Sequence, residues 1–401
     1  MFLIVIPFNT PILAWPASRI ARPSLSPMLF LPVAHFDLRA FERARVVHIA
    51  EAVLNDEPRT ITSVLNPRSS GGPHDFSSEG DYWWPDPKNP EGPYVRRDGE
   101  SNPANFVAHR LLLMRFAREE GALLAAYDLT HEEKFAAAAT RHLRAWFIDP
   151  ATRMNPNLQF AQAIKGVCPG RGTGLIDTVH LAEMAVGIPV LRGSAAFTPA
   201  DEAAVTDWFR RYLIWMRTSP DGIAEREADN NHGTCWTLQA AAFARLTGDQ
   251  SVLAECRRRF IGLLLPGQMA VDGSFPRELA RTKPYSYSLF NLDAMTALAD
   301  ILSTPSENML AFRLPDGRGL VRGIEFLAPY VADKSKWPHP PDVMYWAQWP
   351  MRQASLIFGY ATTGNLAWLD TWKRLPADSG VEEVRRNLIV RFPTLWIRPL
   401  P

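Results

Sequence analysis

From about residue 104 onward, the apolar residues of this chain recur with the period of an α-helix and almost nowhere with the alternation of a half-buried strand. Phe106, Leu113, Phe116, Leu123 and Tyr127 are spaced by 7, 3, 7 and 4 residues, which puts them on one helical face. Val205, Trp208, Tyr212 and Trp215 repeat the pattern. This second helix has a readable start. Thr198 is a candidate N-cap, Pro199 suits the first helical position, and Asp201 brings negative charge into the first turn. Further helices are expected over roughly 132–147, 175–191, 234–246, 250–264, 288–302, 318–330, 347–360 and 365–374.

The connections between these helices carry a weak repeat. Leu129-Thr130-His131-Glu132, Leu246-Thr247-Gly248-Asp249 and Thr362-Thr363-Gly364-Asn365 each lie between two helical stretches, about 117 residues apart. A Gly or polar turn ends one helix and a short polar residue caps the next. Hairpins joined in this way pack antiparallel, and three of them in register favour an all-α, toroidal arrangement. One segment breaks the helical pattern. Residues 66–103 are dense in Pro, Gly and aromatics, including Trp83-Trp84 and Arg96-Arg97. A loop of this length in a compact chain is usually functional. Its Trp faces suit stacking on sugar rings, and its arginines suit pairing with carboxylates.

Charge narrows the function. Lys+Arg is 43 and Asp+Glu is 42, for a net charge of +1, so no overall basic field gathers nucleic acid. An anionic ligand would need a local basic cleft. Three cysteines, Cys168, Cys235 and Cys256, form neither a disulfide framework nor a C-x-x-C metal spacing. No H-E-x-x-H cluster and no phosphate loop is present. No stretch is long and apolar enough to span a bilayer, so no membrane anchor is expected. The N-terminus opens on an apolar run interrupted by Pro7 and Pro11, with small residues around Ala14–Ser18. It reads as a secretory signal or an ill-defined leader over 1–35, with a single domain over 36–401 and a periplasmic or secreted location.

Two motifs carry the chemistry: Asp229-Asn230-Asn231-His232-Gly233 and Arg281-Thr282-Lys283-Pro284-Tyr285-Ser286-Tyr287. Asn and Arg can hold a carboxylate and absorb growing negative charge, while His and Tyr can move protons. That set suits abstraction of the proton beside a carboxylate, which builds a dianion-like enolate and therefore requires the carboxylate to be neutralised first.

In these motifs and several others the chain resembles the alginate lyase superfamily of polysaccharide lyases, in a divergent branch that includes glucuronan lyases. The resemblance runs from roughly residue 65 to 398. It is carried by Gly80-Asp81-Tyr82-Trp83-Trp84-Pro85-Asp86-Pro87, Pro93-Tyr94-Val95-Arg96-Arg97-Asp98-Gly99, Met154-Asn155-Pro156-Asn157-Leu158, Gly170-Arg171-Gly172-Thr173-Gly174, Asn230-Asn231-His232-Gly233, Glu278-Leu279-Ala280-Arg281 and Pro341-Asp342-Val343-Met344-Tyr345-Trp346. It implies an (α/α) toroid, β-elimination without a cofactor, and an acidic polysaccharide or oligosaccharide as partner. It also implies Asn231 and Arg281 as carboxylate ligands and His232 and Tyr287 as proton-transfer groups. In mannuronate, the carbon 5 proton and the carbon 4 leaving oxygen lie on one side, and Tyr287 alone could serve both. Where they lie on opposite faces, His232 would be the base and Tyr287 the acid.

The mannuronate-specific members follow the Arg with a Gly-containing segment and a Tyr-His pair. Here Thr282-Lys283-Pro284 follows Arg281, and Ser288 follows Tyr287. Trp83, Trp84, Arg96, Arg97, Gln162, Arg171, Asn230, Arg277, Tyr285, Tyr345 and Arg352 are the further candidates for substrate contact, with His74, Asp75 and His180 behind them. Two other readings remain at this stage. One is a glycoside hydrolase, which needs two flanking carboxylates, for which Asp81, Asp86, Asp177, Glu225 and Asp229 are the available groups. The other is a non-catalytic protein that binds acidic polysaccharides.

Overall fold

A computed structural model describes residues 36–397, and the expected leader over 1–35 lies outside the described residues. The compact unit begins at Asp37. Its helices are Leu38–Val53 (α1), Ala108–Thr130 (α2), Glu133–Leu143 (α3), Leu181–Gly187 (α4), Pro199–Thr218 (α5), Pro220–Arg226 (α6), Asn231–Thr247 (α7), Gln250–Arg259 (α8), Leu265–Gln268 (α9), Pro276–Leu279 (α10), Pro284–Leu302 (α11), Leu320–Ala332 (α12), Ala354–Thr363 (α13), Leu366–Arg374 (α14) and Glu382–Arg386 (α15).

Two layers follow from how apolar each helix is around its circumference. Of α11, only Asp300 escapes full burial, and α7 is buried nearly all round, so both must lie inside. α8 buries only Val252 and Cys256 and can only lie outside. The inner row runs α2, α4, α7, α11, α13 by neighbouring contact, with α3, α5, α8, α12 and α14 packed against it. This layering of antiparallel hairpins is the expected all-α, (α/α) toroid.

The repeated turns do as the sequence suggests. His131, Gly248 and Gly364 each end an inner helix in the left-handed conformation, at φ 58°, 75° and 73°. Thr130, Thr247 and Thr363 each donate to the carbonyl four residues back. Asp249 and Asn365 then cap the outer helix with their side chains. An added Cβ at Gly248 would touch nothing within 4 Å. Gly248→Ala is therefore expected to lose only the backbone preference, about 1 kcal/mol, read as a lower urea midpoint at unchanged slope. Thr198 caps α5 in a capping box with Asp201, as expected.

Two helical expectations need adjustment. The 347–360 stretch opens on a 3-10 turn and becomes α-helical only at Ala354. Pro350 keeps Trp349 extended, and the Asp293 carboxylate takes the N–H groups of Ala354 and Ser355 at 3.0 and 2.8 Å, which fixes the start. The 175–191 stretch is three short pieces, a 3-10 turn, α4 and a second 3-10 turn, rather than one helix, with Pro189 opening the last. The 66–103 loop holds strands too short to see by alternation. Trp83–Trp84 (β2) pairs antiparallel with Val95–Arg96 (β3), and Ser77–Glu79 (β1) pairs parallel with Phe160–Ala163 (β4). Among the described residues no single helix is long and apolar enough to cross a membrane.

Candidate active site

The hairpin turns gather at the C-terminal ends of α2, α7 and α13, so the opposite end of the inner row is free for a site. There the N-termini of α7 and α11 meet the 66–103 loop around a cavity of about 490 Å³. Asn230 caps α7, its side chain accepting from the N–H of His232. Asn231 and His232 follow in the first turn, where the helix dipole favours an anion.

Each of these two side chains is held by a buried carboxylate that sequence reading did not pair with it. The Asn231 N–H donates to Glu278 Oε1 at 2.8 Å, and its side-chain amide donates to Oε2 at 2.7 Å. Burial raises the Glu278 carboxyl pKa, against the pull of those two hydrogen bonds and of Arg281. His232 Nδ1 lies 2.6 Å from Glu225 Oε1, so it carries the proton donated to that carboxylate. Nε2 is then the nitrogen left for a ligand.

Arg281 and Tyr287 complete the group. The Arg281 guanidinium carbon lies 4.5 Å from the centroid of the Tyr287 ring. The Tyr287 and Tyr82 hydroxyls are 2.7 Å apart. Burial pushes the Tyr287 phenol pKa up, while Arg281 and the Tyr82 hydrogen bond pull it down and Glu383 and Asp98 oppose them. Arg281 keeps its charge against burial through a two-point contact with Asp98, Nε to Oδ2 at 3.0 Å and Nη2 to Oδ1 at 2.7 Å.

The cavity brings together Asn230, Asn231, His232, Arg281, Tyr287, Trp83, Arg96, Gln162 and Arg171. Arg171 donates to the Gln162 carbonyl at 3.1 Å and to Gln162 Oε1 at 2.8 Å, which are neutral partners, and Trp83 lies 5.7 Å from its guanidinium. Burial lowers the pKa of this guanidinium. Gln162 is held at φ 50°, in the left-handed region, and its N–H donates to Ser78 Oγ at 2.8 Å.

The remaining candidates lie outside the cavity lining. Tyr285 is buried with its hydroxyl donating to the Tyr330 carbonyl at 3.0 Å, because two helical positions from Tyr287 is nearly the opposite face. Trp84 donates to the Glu100 carbonyl, and Arg97 lies over the Trp84 ring. Arg277 pairs with Asp229 at 2.7 Å in an exposed contact. Tyr345 covers Lys283, whose ammonium sits 5.1 Å from both the Tyr345 and Tyr82 rings. Arg352 pairs with Glu42 at 2.8 Å and donates to the Leu375 carbonyl. His74 is tied to the Arg153 carbonyl and Asp75 to Asn155, and His180 is buried in the core.

The carboxylates a hydrolase would need are committed elsewhere. Asp81 and Asp177 are engaged by Arg110 and Arg386, Glu225 by His232 and Asp229 by Arg277. Asp86 accepts from the Lys88 N–H in a loop turn.

Comparison with known proteins bears on the family and the fold. Residues 60–337 match the alginate lyase family. The fold superposes on an alginate lyase from Bacteroides ovatus with a TM-score of 0.77 at 30% identity, covering 88% of this chain and 93% of that one. Two structures of alginate lyase A1-III complexed with a tetrasaccharide superpose with TM-scores of 0.54 and 0.51. They cover 89% and 80% of this chain and 94% and 86% of those chains. Identities of 14% and 15% make that second likeness one of fold. No curated protein matches the chain by sequence. With the family matched over most of its length and a solved relative alike over nearly all of it, this chain belongs to the alginate lyase family and is a polysaccharide lyase.

Proposed function

We propose that the enzyme cleaves a uronate polymer of the polymannuronate or glucuronan type by β-elimination, with Tyr287 moving the protons. The observation that carries this reading is the environment of the Tyr287 hydroxyl, which has Arg281 over its ring at 4.5 Å and the Tyr82 hydroxyl at 2.7 Å. Both stabilise a phenolate. Asn231 and Arg281 hold the carboxylate of the sugar, and Arg171 with Trp83 supports an anionic chain alongside. The Tyr287 oxygen takes the carbon 5 proton. The electron pair of that C–H bond forms the carbon 4–carbon 5 double bond, the bond from carbon 4 to its oxygen breaks, and the departing oxygen receives the proton back from Tyr287. Mannuronate and glucuronate differ at carbon 2 and share their configuration at carbons 4 and 5. In both, the proton and the leaving oxygen lie on one face, within reach of one hydroxyl.

A second reading has its own support. With Nδ1 fixed by Glu225, His232 offers Nε2 as a separate base, which suits guluronate, the carbon 5 epimer of mannuronate. An ultraviolet assay for the new double bond, run on polymannuronate, glucuronan and polyguluronate, separates the two. The expected result is a rise with polymannuronate or glucuronan and none with polyguluronate. A rise confined to polyguluronate, and lost in His232→Gln, would replace the first reading with the second. No rise on any of the three would sink both.

A further inference from the structure

Asp98 lies outside the cavity lining, yet it touches both arginines of that lining that approach from the 281 side and from the loop. Besides its two-point contact with Arg281, its Oδ1 accepts from Arg96 Nη2 at 2.6 Å. Although burial opposes it, Arg281 and then Arg96 hold the Asp98 carboxyl well below the usual carboxylate range.

The backbone around it is built to make this contact. Thr282 Oγ1 donates to the Asp98 carbonyl at 2.9 Å and to Asp98 Oδ2 at 3.0 Å. The next residue, Gly99, has φ 77°, and a Cβ there would come within 2.3 Å of Thr282 Oγ1. A side chain at 99 would therefore force the loop off Thr282 and carry Asp98 away from Arg281. The Thr282 carbonyl in turn accepts from the Val343 N–H at 3.1 Å, which ties this junction to the segment behind it.

We infer that Asp98 is a positioning residue for Arg281, clamping the side edge of the guanidinium so that its end fork faces the cavity. This rests on the proposed role of Arg281 as ligand of the uronate carboxylate. A guanidinium has five N–H groups. Asp98 takes the one on Nε and one on Nη2, and both N–H groups of Nη1 and the second of Nη2 remain. Of those three, one on Nη1 and the one on Nη2 form the end fork that grips a carboxylate at two points. The clamp also sets the charge. Arg96 and Arg281 together carry two positive charges and Asp98 one negative, so the cluster presents a single net positive charge to a single carboxylate. Without Asp98, the two arginines repel each other and Arg281 is free to change rotamer.

The test is a double-mutant cycle on the polymer that the wild type cleaves, using Asp98→Asn, Arg281→Lys and the pair. Asp98→Asn keeps the shape but sets an amide against one donor of the guanidinium. It is expected to lower kcat by about ten- to a hundredfold with KM changed by less than about threefold, because misorientation acts on the transition state. In the Arg281→Lys background the same change is expected to have less than about a twofold effect. A loss of the same factor in both backgrounds would overturn the inference, since Asp98 would then act through something other than Arg281. A second readout needs no turnover. The Arg281 Nε–H should give a nitrogen-15 resonance protected from exchange, assigned by its loss in Arg281→Lys and expected to be lost also in Asp98→Asn. Its persistence there would overturn the clamp even if no uronate polymer were cleaved. If the Asn variant does not fold, Asp98→Glu, which keeps the charge and moves it by one methylene, is carried through the same cycle with the same expected non-additivity.

Discussion

Tyr287→Phe is expected to lower kcat by about a thousandfold or more with little change in the unfolding midpoint. A positioned acid–base group contributes about a hundred- to ten-thousandfold, and a single hydroxyl that takes one proton and returns it is engaged in both transfers. The ring and its packing against Arg281 survive the substitution. The structural cost is confined to the Tyr82 hydroxyl, which loses its partner at 2.7 Å, about 1 kcal/mol. Initial rates of double-bond formation, measured beside a thermal unfolding curve, check both halves. A variant that kept a tenth of the wild-type rate would remove Tyr287 from the chemistry.

The pH profile tests the same residue without mutating it. If the phenolate is the base, the active form is the deprotonated one, so kcat/KM should rise with pH. Burial pushes the Tyr287 phenol up, which places that rise in the alkaline range. Tyr82→Phe removes a donor to the phenolate and should move the rising limb to still higher pH. With His232 as the base and Tyr287 as the acid, activity would instead decline in alkali, as Tyr287 lost the proton it must donate.

How much of this site could be read from the sequence depends on the range of the interactions. Helix faces and hairpin turns are local, and the 3.6-residue period with the Thr-Gly-Asp and Thr-Gly-Asn signals located them. The two polar motifs were visible because Asn231 and His232, and Arg281 and Tyr287, sit within a turn or two of each other on α7 and at the start of α11. What orients them was not visible. Tyr82 is 205 residues from Tyr287, Asp98 is 183 from Arg281, and Glu278 is 47 from Asn231. No period or spacing links such pairs. Glu225 is only seven residues before His232, but the non-helical turn between α6 and α7 hides the pairing from any helical rule. Tyr285 and Tyr287 could have been told apart, since two residues of one helix separated by two positions cannot share a face. Arg386 was not marked by any motif, because it comes from α15, past the last segment that carried the resemblance, and reaches the cavity from the C-terminal side of the chain.

Arg386 also explains why Asp81 matters beyond the loop that carries it, and Asp81→Asn is the second large effect expected. Asp81 is buried between two guanidinium groups. Arg110 donates to both of its oxygens at 2.7 and 2.6 Å, and Arg386 donates to Oδ2. Arg386 continues to Asp177 at 3.0 Å and to Glu383 at 3.4 Å, so the two arginines are ringed by carboxylates beneath the cavity. Removing one negative charge leaves an uncompensated buried cation, which costs about 3 to 5 kcal/mol. The pH dependence gives the sign. Burial opposes the charge, but Arg110 and then Arg386 depress the Asp81 carboxyl far below the ordinary 3.8. Its contribution is therefore fully present above that value and is lost as pH falls below it toward the depressed one. Urea unfolding at about pH 7 should show the full gap between wild type and Asn variant, and the gap should narrow in acid. A gap that stayed constant into acid would mean that packing, not charge, holds Asp81. Since Tyr82 follows Asp81 directly and Asp81 and Arg386 both line the cavity, any variant protein that remains folded should also cleave more slowly, through the displaced Tyr82 hydroxyl.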